Sequence, residues 1–507
     1  MVLQRGQPVI LWGKASPGEK IRVSLNGKKG NGEALSDSTW TVELPSMEAG
    51  GPYVLKVNDT EVRDVLMGDL YLFSGQSNME LPVSRTLDLF KEEVASYSNP
   101  SIREFKVPKE YSFTKGSDDV SVSEWKKAEP GTSERFGALV YFTAKELYEK
   151  NGHVPVGIVN SSWGGTRIEA WLNEDALAQY PVRLHRLRIA EDEAYRGYLG
   201  KGERKARELW YSTMDSEDPG YSGDLSWSDP SYDDSGWTTV PLMGNVWGSV
   251  EGRAVNGSHW LRKTVEVPSS AIGEEAELRL GCIVDADDVW VNGHHVGSTA
   301  YQYPPRIYKI PAGVLRDGEN LVCVRVISNA GVPHFVPEKP HKIIFRDGGE
   351  VSLEGYWRHK EGTPMPQTPS VTDFFQIPTV LYNAMIYPLS RLPFRGVVWY
   401  QGESDVDIRK EYCGMLRSLI GAWRAAFRDP ELPFYIVELA DFLHESDTYG
   451  RMSWQEMRDA QRRAADESDN AWWVMNGDIG EWNDIHPRDK KTPALRVAAR
   501  ILEHPHK

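Results

Sequence analysis

Apolar and polar positions alternate along four short runs near the start of the chain: VILWGKA, KIRVSLNG, TWTVELP and YVLKVND. They recur at intervals of about ten residues and are separated by Pro-Gly, Asn-Gly and Gly-Gly turns, which predicts a small β-sandwich over residues 1–65. At Asp69 the period changes. DLYLFSGQSNME is an apolar strand running into a glycine turn, GALVYFTAKELYEKNG an amphipathic helix with a glycine stop, and VPVGIVNSSWGGT a second buried strand. Strand, loop, helix and strand in that order predict a parallel α/β fold. From about 222 to 346 alternation returns, with Asn292-Gly293 as a hairpin turn between DADDVWV and HHVG. Beyond 350 the α/β pattern resumes with the strand FRGVVWYQGESD, the amphipathic helix EYCGMLRSLIGAWRAAFRD, the strand LPFYIVELADF, the amphipathic helix MSWQEMRDAQRRAADES, the strand AWWVMNGD and a closing helix. We therefore expect an N-terminal β-sandwich domain (1–65) and an α/β domain in two segments (66–221 and 347–507) interrupted by a β insert (222–346).

Charge narrows the partners. A formal net charge of −15 disfavours a role on phosphate backbones. The charged stretch between Tyr180 and Trp210 mixes both signs and reads as a solvated helix, so no nucleic-acid partner is expected. No run approaches the ~20 apolar residues of a membrane-spanning helix. The 18 Trp and 22 Tyr suit two ends, packing in β-rich cores or lying against sugar rings. Cys282, Cys323 and Cys413 form no metal or redox pair, and the first two sit in strand-like runs as buried small side chains. No HExxH, P-loop or dinucleotide motif is present, and neither a metal nor a cofactor is expected.

Four turns carry candidate chemistry, each at the end of an expected α/β strand. Ser77, in SGQSNME, follows a glycine that permits a sharp turn, and it would open a helix whose amides can hold an oxyanion. Asp484 and His486 lie two apart in an extended loop before Pro487; a serine hydroxyl needs such an imidazole to take its proton and a carboxylate to orient it. Asn160–Thr166, with Gly164 and Gly165, offers unencumbered backbone amides. WYQGESD offers the Gln401 amide and the Glu403 and Asp405 carboxylates.

Taken in order, GQSNME, WGGT, WYQGESD and DIHPRDK resemble the sialate O-acetylesterase group of SGNH-type carbohydrate esterases, as does the opening MVLQRGQPVILWGKASPGEKIRV. The resemblance implies a flavodoxin-like α/β/α hydrolase that removes acetyl groups from sugar hydroxyls through an acyl-enzyme. It assigns Ser77 as nucleophile, His486 as base and Asp484 as the orienting acid. The Ser77 amide, Gly165 (in preference to Gly164) and Gln401 would form the oxyanion hole. Two departures bear on this. The superfamily's acid stands three before the histidine, where this chain has Asn483, and its third-block asparagine is replaced by the Gln401–Glu403 stretch. Glu403 is thus the alternative acid. Arg167 is the candidate for a sialate carboxylate, against an ordinary ion pair with Glu169 or a neighbour.

The insert resembles the sugar-binding jelly roll that accompanies glycosidases, through SWSDPSYDDSGW, HWLRKTVEVP and DADDVWVNGHHVG, with Trp290 and His294-His295 at a hairpin. The partner implied is an acetylated sugar or oligosaccharide, and the protein is expected outside the cytoplasm with a leader removed. Three rivals stand beside the sialate reading: an acetylxylan esterase, a glycoside hydrolase using Glu403 and Glu438, and a non-catalytic carbohydrate-binding protein.

Overall fold

A computed structural model describes residues 1–114, 119–244, 247–251 and 253–506. It divides into two compact units, Met1–Glu193 with Asp373–Lys507, and Ala194–Thr372.

In the first unit, eleven consecutive residues from Val65 to Gly75 are buried, a pattern that requires a strand covered on both faces. They belong to β1 (Thr60–Gly75), a 16-residue strand serving two cores. Its first half pairs with Gly50–Val57 and Val2–Gln4 in the N-terminal β layer, closed over Ile21, Val23, Trp40, Val42 and Leu55. Its second half runs on into the α/β sheet, between β4 (Val156–Ser162) and β5 (Val397–Tyr400). The expected boundary at 65/66 therefore needs correction: one strand crosses it without a linker.

The remaining sheet strands are β2 (Asn99–Lys106), β3 (Trp125–Ala128), β6 (Phe434–Val437) and β7 (Ala471–Val474). The spatial order is β7-β6-β5-β1-β4-β2-β3, parallel throughout except for the β3 edge. The helices include α1 (Ser77–Glu80), α2 (Ala138–Lys150), α3 (Arg409–Phe427), α4 (Thr448–Asp466) and α5 (Lys491–Glu503). Each of the last four follows from an amphipathic stretch in the sequence. α2 packs on α5 and α3 on α4, around Leu72, Phe73, Val159, Trp399 and Ile436. Chain order reverses at β1, whose neighbours β4 and β5 lead away in opposite directions. In open α/β sheets a crevice forms at the carboxyl ends of the strands at such a reversal.

The second unit is built on two antiparallel sheets. Six strands run in the order Thr238–Pro241, Tyr356–Met365, Asn256–Val267, Gly318–Ser328, Ala286–Val291 and His294–Thr299; a four-stranded sheet contains Ile307–Ile310, Ala276–Leu280, His341–Phe345 and Glu350–Ser352. Leu261, Leu278, Val289, Val324 and Ile343 fill the core. The unit is wider than the expected 222–346, because Tyr356–Met365 pairs with Asn256–Arg262 and with Thr238–Pro241. Asn292 and Gly293 both adopt positive φ, as the hairpin turn requires. Trp290 stacks on the fully buried Trp260 at 5.4 Å, which makes it part of an aromatic core with Trp227 and Trp237, while His294 and His295 are exposed. All three cysteines are buried.

Candidate active site

Three strand ends meet at one level. Gly75, the last residue of β1, is in register with Ser162 of β4 on one side and Tyr400 of β5 on the other. A side chain at Gly75 would meet the Tyr400 carbonyl oxygen at 2.0 Å, and its φ is +141°, so only glycine fits where the chain leaves the sheet. Gln76 follows in extended conformation, and Ser77 opens the single helical turn of α1. As a first helical residue, Ser77 has a backbone N–H with no intrahelical partner.

The loop ahead of α5 returns His486 to this point. Its Nε2 lies 2.8 Å from Ser77 Oγ, across 409 residues of sequence. The imidazole is buried; that burial, with the positive charges of Lys490 and Arg85, pulls its pKa down to about 3. The ring is therefore neutral near pH 7, the state in which Nε2 can accept a proton. Asp484 Oδ1 accepts the His486 backbone N–H at 2.9 Å, tying the carboxylate to the residue it was expected to orient.

Behind the serine, Asn78 donates to Glu403 Oε1 at 2.6 Å and to the Ile485 carbonyl at 2.9 Å, fastening α1 to the histidine loop. Burial pushes the Glu403 carboxyl above its ordinary range, against the opposing effects of the Asn78 bond and the Lys490 charge. Its Oε2 is buried without a hydrogen-bond partner among the described residues. Lys490 is itself buried and donates to the Pro487 carbonyl at 2.7 Å; burial pulls its ammonium down to about 7, with Glu403 and Asp484 acting in the opposite sense.

The glycine turn after β4 sits against the nucleophile. A Cβ placed on Gly164 would lie 3.2 Å from Ser77 Cβ. Its backbone N–H is already given to Glu80 Oε2 at 2.8 Å. Gly165 is exposed at φ +75°, with open space around the position of a Cβ. The turn thus holds one engaged amide and one at the surface beside it.

Two expected roles need correction. Both amide hydrogens of Gln401 are committed, Nε2 donating to the Thr166 carbonyl at 3.0 Å and to Asp405 Oδ2 at 2.6 Å, while Oε1 lies 2.7 Å from the Tyr412 hydroxyl. As folded, this side chain braces the β4 and β5 turns and has no hydrogen left for an oxyanion. Arg167 grips both oxygens of Asp407 at 3.0 and 2.9 Å, with Asp405 Oδ1 at 3.7 Å, which is the ordinary ion pair, though not with Glu169. Glu169 is paired with Arg183 and Arg186. Of the rival glycosidase pair, Glu438 is engaged, its Oε2 accepting the backbone N–H groups of Asn476 and Gly477.

Asn78, Glu80 and Lys490 were not singled out from the sequence, although they lie inside GQSNME and DIHPRDK. Gln76 was missed too: its Oε1 accepts from Gly402 and Ser404 at 3.2 and 3.3 Å, holding the β5 turn against α1. The available signal was their place in those motifs.

The family model described as carbohydrate esterase, sialic acid-specific acetylesterase matches residues 67–209 and 367–492, together more than half of the chain. The glycosyl hydrolase family 2 sugar-binding domain matches residues 194–339. The chain is 24% identical to mouse sialate O-acetylesterase over 98% of its own length and 70% of that protein's. It is 34% identical to the human sialate O-acetylesterase over 34% of this chain and 36% of that one. Among solved structures, a carbohydrate acetylesterase from Xanthomonas citri is similar with a TM-score of 0.57 at 26% identity, covering 99% of this chain and 72% of that one.

Proposed function

The chain belongs to the carbohydrate esterase family of sialic acid-specific acetylesterases, and from that premise we propose that it removes acetyl groups from O-acetylated sialic acids by serine catalysis. The observation that carries the mechanism is the 2.8 Å approach of neutral, buried His486 Nε2 to Ser77 Oγ. Ser77 Oγ attacks the acetyl carbonyl carbon while its proton passes to His486 Nε2, giving a tetrahedral oxyanion and an imidazolium. Collapse breaks the bond to the sugar oxygen, which leaves with the proton from His486. A water then repeats the sequence on the acyl-serine: its proton goes to His486, its oxygen to the acetyl carbon, and acetate departs as Ser77 recovers the proton. The Ser77 and Gly165 amides are the donors we assign to the oxyanion, and Asp484 the acid that orients the imidazole.

The finer fold follows the same reading. A parallel sheet whose nucleophile follows the first strand at the order reversal supports an SGNH-type, flavodoxin-like domain. The two antiparallel sheets of Ala194–Thr372 and the sugar-binding match support an inserted jelly roll. We assign the protein to the outside of the cytoplasm, where glycan-bound sialic acid is exposed. Among the described residues no helix is long and apolar enough to cross a membrane.

The test is acetate release from a panel of O-acetylated sialosides, acetylated xylo-oligosaccharides and a chromogenic acetyl ester, with wild type and Ser77→Ala. We expect turnover on all acetyl esters used at the highest kcat/KM for the sialosides, and a loss of roughly 10³-fold or more in Ser77→Ala with unchanged circular dichroism. Near wild-type turnover in Ser77→Ala would remove the mechanism; preference for the xylan fragments would move the substrate.

A further inference from the structure

Glu80 stands three residues after Ser77, on the same face of the single turn of α1. Its Oε2 accepts the Gly164 N–H at 2.8 Å. The position of a Cβ on Gly164 is 3.2 Å from Ser77 Cβ and 3.4 Å from Glu80 Oε2, so nucleophile, glycine turn and carboxylate converge on one point. This is an awkward place for a carboxylate. A negative charge beside the site where an oxyanion develops opposes the reaction, even at the effective dielectric of a partly exposed pocket. The other oxygen, Oε1, is paired with Lys109 Nζ. That ammonium lies 5.8 Å from the centroid of Trp163, the residue preceding the turn, whose ring is stacked on Phe375 at 4.6 Å and 8°.

We infer that Glu80 is the positioning residue of the oxyanion turn, and that Lys109 is the counter-charge that makes a carboxylate tolerable there. The two jobs use different oxygens. Oε2 holds the Gly164 amide and so fixes the peptide that immediately precedes the one presenting the Gly165 N–H. Oε1 is neutralised by Lys109, whose ammonium lies over the Trp163 ring. This deepens the esterase reading above and rests on it. It explains why the first amide of the turn is spent within the protein, and it assigns a role to the last residue of GQSNME that the serine mechanism alone leaves idle.

The experiment is steady-state kinetics of the full chain on a neutral chromogenic acetyl ester, so that no substrate carboxylate interacts with Lys109. Four variants are compared: Glu80→Ala, Glu80→Gln, Lys109→Met and the double Glu80→Gln/Lys109→Met. Glu80→Ala should lower kcat by about tenfold or more with KM changed by less than about threefold, since a loosened turn weakens oxyanion binding more than substrate binding. Glu80→Gln should recover most of that loss, because the amide oxygen accepts the same N–H. Lys109→Met should lower kcat by about fivefold, and adding Glu80→Gln should restore at least half of it, since the uncompensated charge is gone. A merely structural lysine would show no such rescue. Wild-type kcat in Glu80→Ala or Lys109→Met, or a double variant no faster than Lys109→Met, overturns the inference. A wild-type chain without esterase activity would instead overturn the functional reading, and this inference with it; an active chain indifferent to all four variants overturns this inference alone.

Discussion

Two buried polar clusters, one in each unit, show opposite habits. In the antiparallel unit, Arg306 is fully enclosed and each of its guanidinium nitrogens is engaged. Nε donates to Asp287, Nη1 to the Gln302 and Pro304 carbonyls, and Nη2 to the Ile283 and Asp285 carbonyls. The second oxygen of Asp287 accepts from the Tyr308 hydroxyl. Such a cluster is closed: its charge is compensated and it presents nothing to a ligand. Beneath Ser77 the accounting stays open. Glu403 Oε2 and Asn78 Oδ1 are buried with no partner among the described residues, and His486, Lys490 and Glu403 all have pKa values displaced by burial. A low local dielectric strengthens a completed network and penalises an incomplete one, so incompleteness persists where function requires it.

The strongest way to break this comparison is to alter the acid. If Asp484 orients His486, Asp484→Asn should lower kcat by about 10²–10⁴-fold with little change in KM, because the tautomer and the stabilisation of the imidazolium are both lost. Glu403→Gln, which leaves its bond to Asn78 an acceptor, should cost less than about tenfold on the same scale. A larger loss in Glu403→Gln transfers the orienting role to Glu403. The open cluster would then be the acid itself rather than the support behind it.

The closed cluster should answer in stability instead. Arg306→Met leaves Asp287 buried without its cation, and breaking such a pair costs about 3–5 kcal/mol. Burial already pushes the Asp287 carboxyl upward against Arg306, so the variant should take up a proton at Asp287. Thermal melting should show the antiparallel unit destabilised, with turnover of a small acetyl ester at 25 °C within about twofold of wild type. A comparable fall in kcat with unchanged melting would show that the closed cluster works in catalysis.

Much of this contrast was legible in the sequence, for local reasons. Helix and strand periods located α2, α3, α4 and α5 and the apolar strands. The motif order brought Ser77 and His486 together although 409 residues separate them. What escaped was decided by partners distant in sequence. β1 reads as a strand only from Asp69, because its halves face different cores, yet Thr60–Gly75 is continuous. Gln401 reads as an oxyanion donor because Thr166, 235 residues away in sequence, takes one of its hydrogens, and only the folded turn brings nearby Asp405 onto the other. Arg167 reads as either a ligand for a carboxylate or half of an ion pair with Glu169 or a neighbour, because its partner Asp407 lies 240 residues on. The abundant tryptophan reads equally as core packing or as a sugar surface, and Trp171, Trp260, Trp357, Trp399 and Trp423 are fully buried.

The smallest effect expected is also the most direct probe of the open cluster. Burial, then Lys490 and Arg85, hold the His486 imidazole near 3, below the ordinary value of about 6.5. The sign follows directly: a depressed histidine stays neutral, and so stays a base, as pH falls through the range where an ordinary histidine would gain its proton. Between pH 7.5 and 5.5 an unperturbed base would lose about tenfold in kcat/KM, whereas here the loss on a neutral acetyl ester should be under about twofold. Two neighbours do titrate in that window, since burial brings Lys490 down and Asp405 up to about 7 each. Profiles of Lys490→Met and Asp405→Asn separate them from the base. An acid limb near 6.5 that survives in both variants would mean that His486 is solvated like a surface imidazole, and the contrast between an open, dry cluster and a closed one would lose its central member.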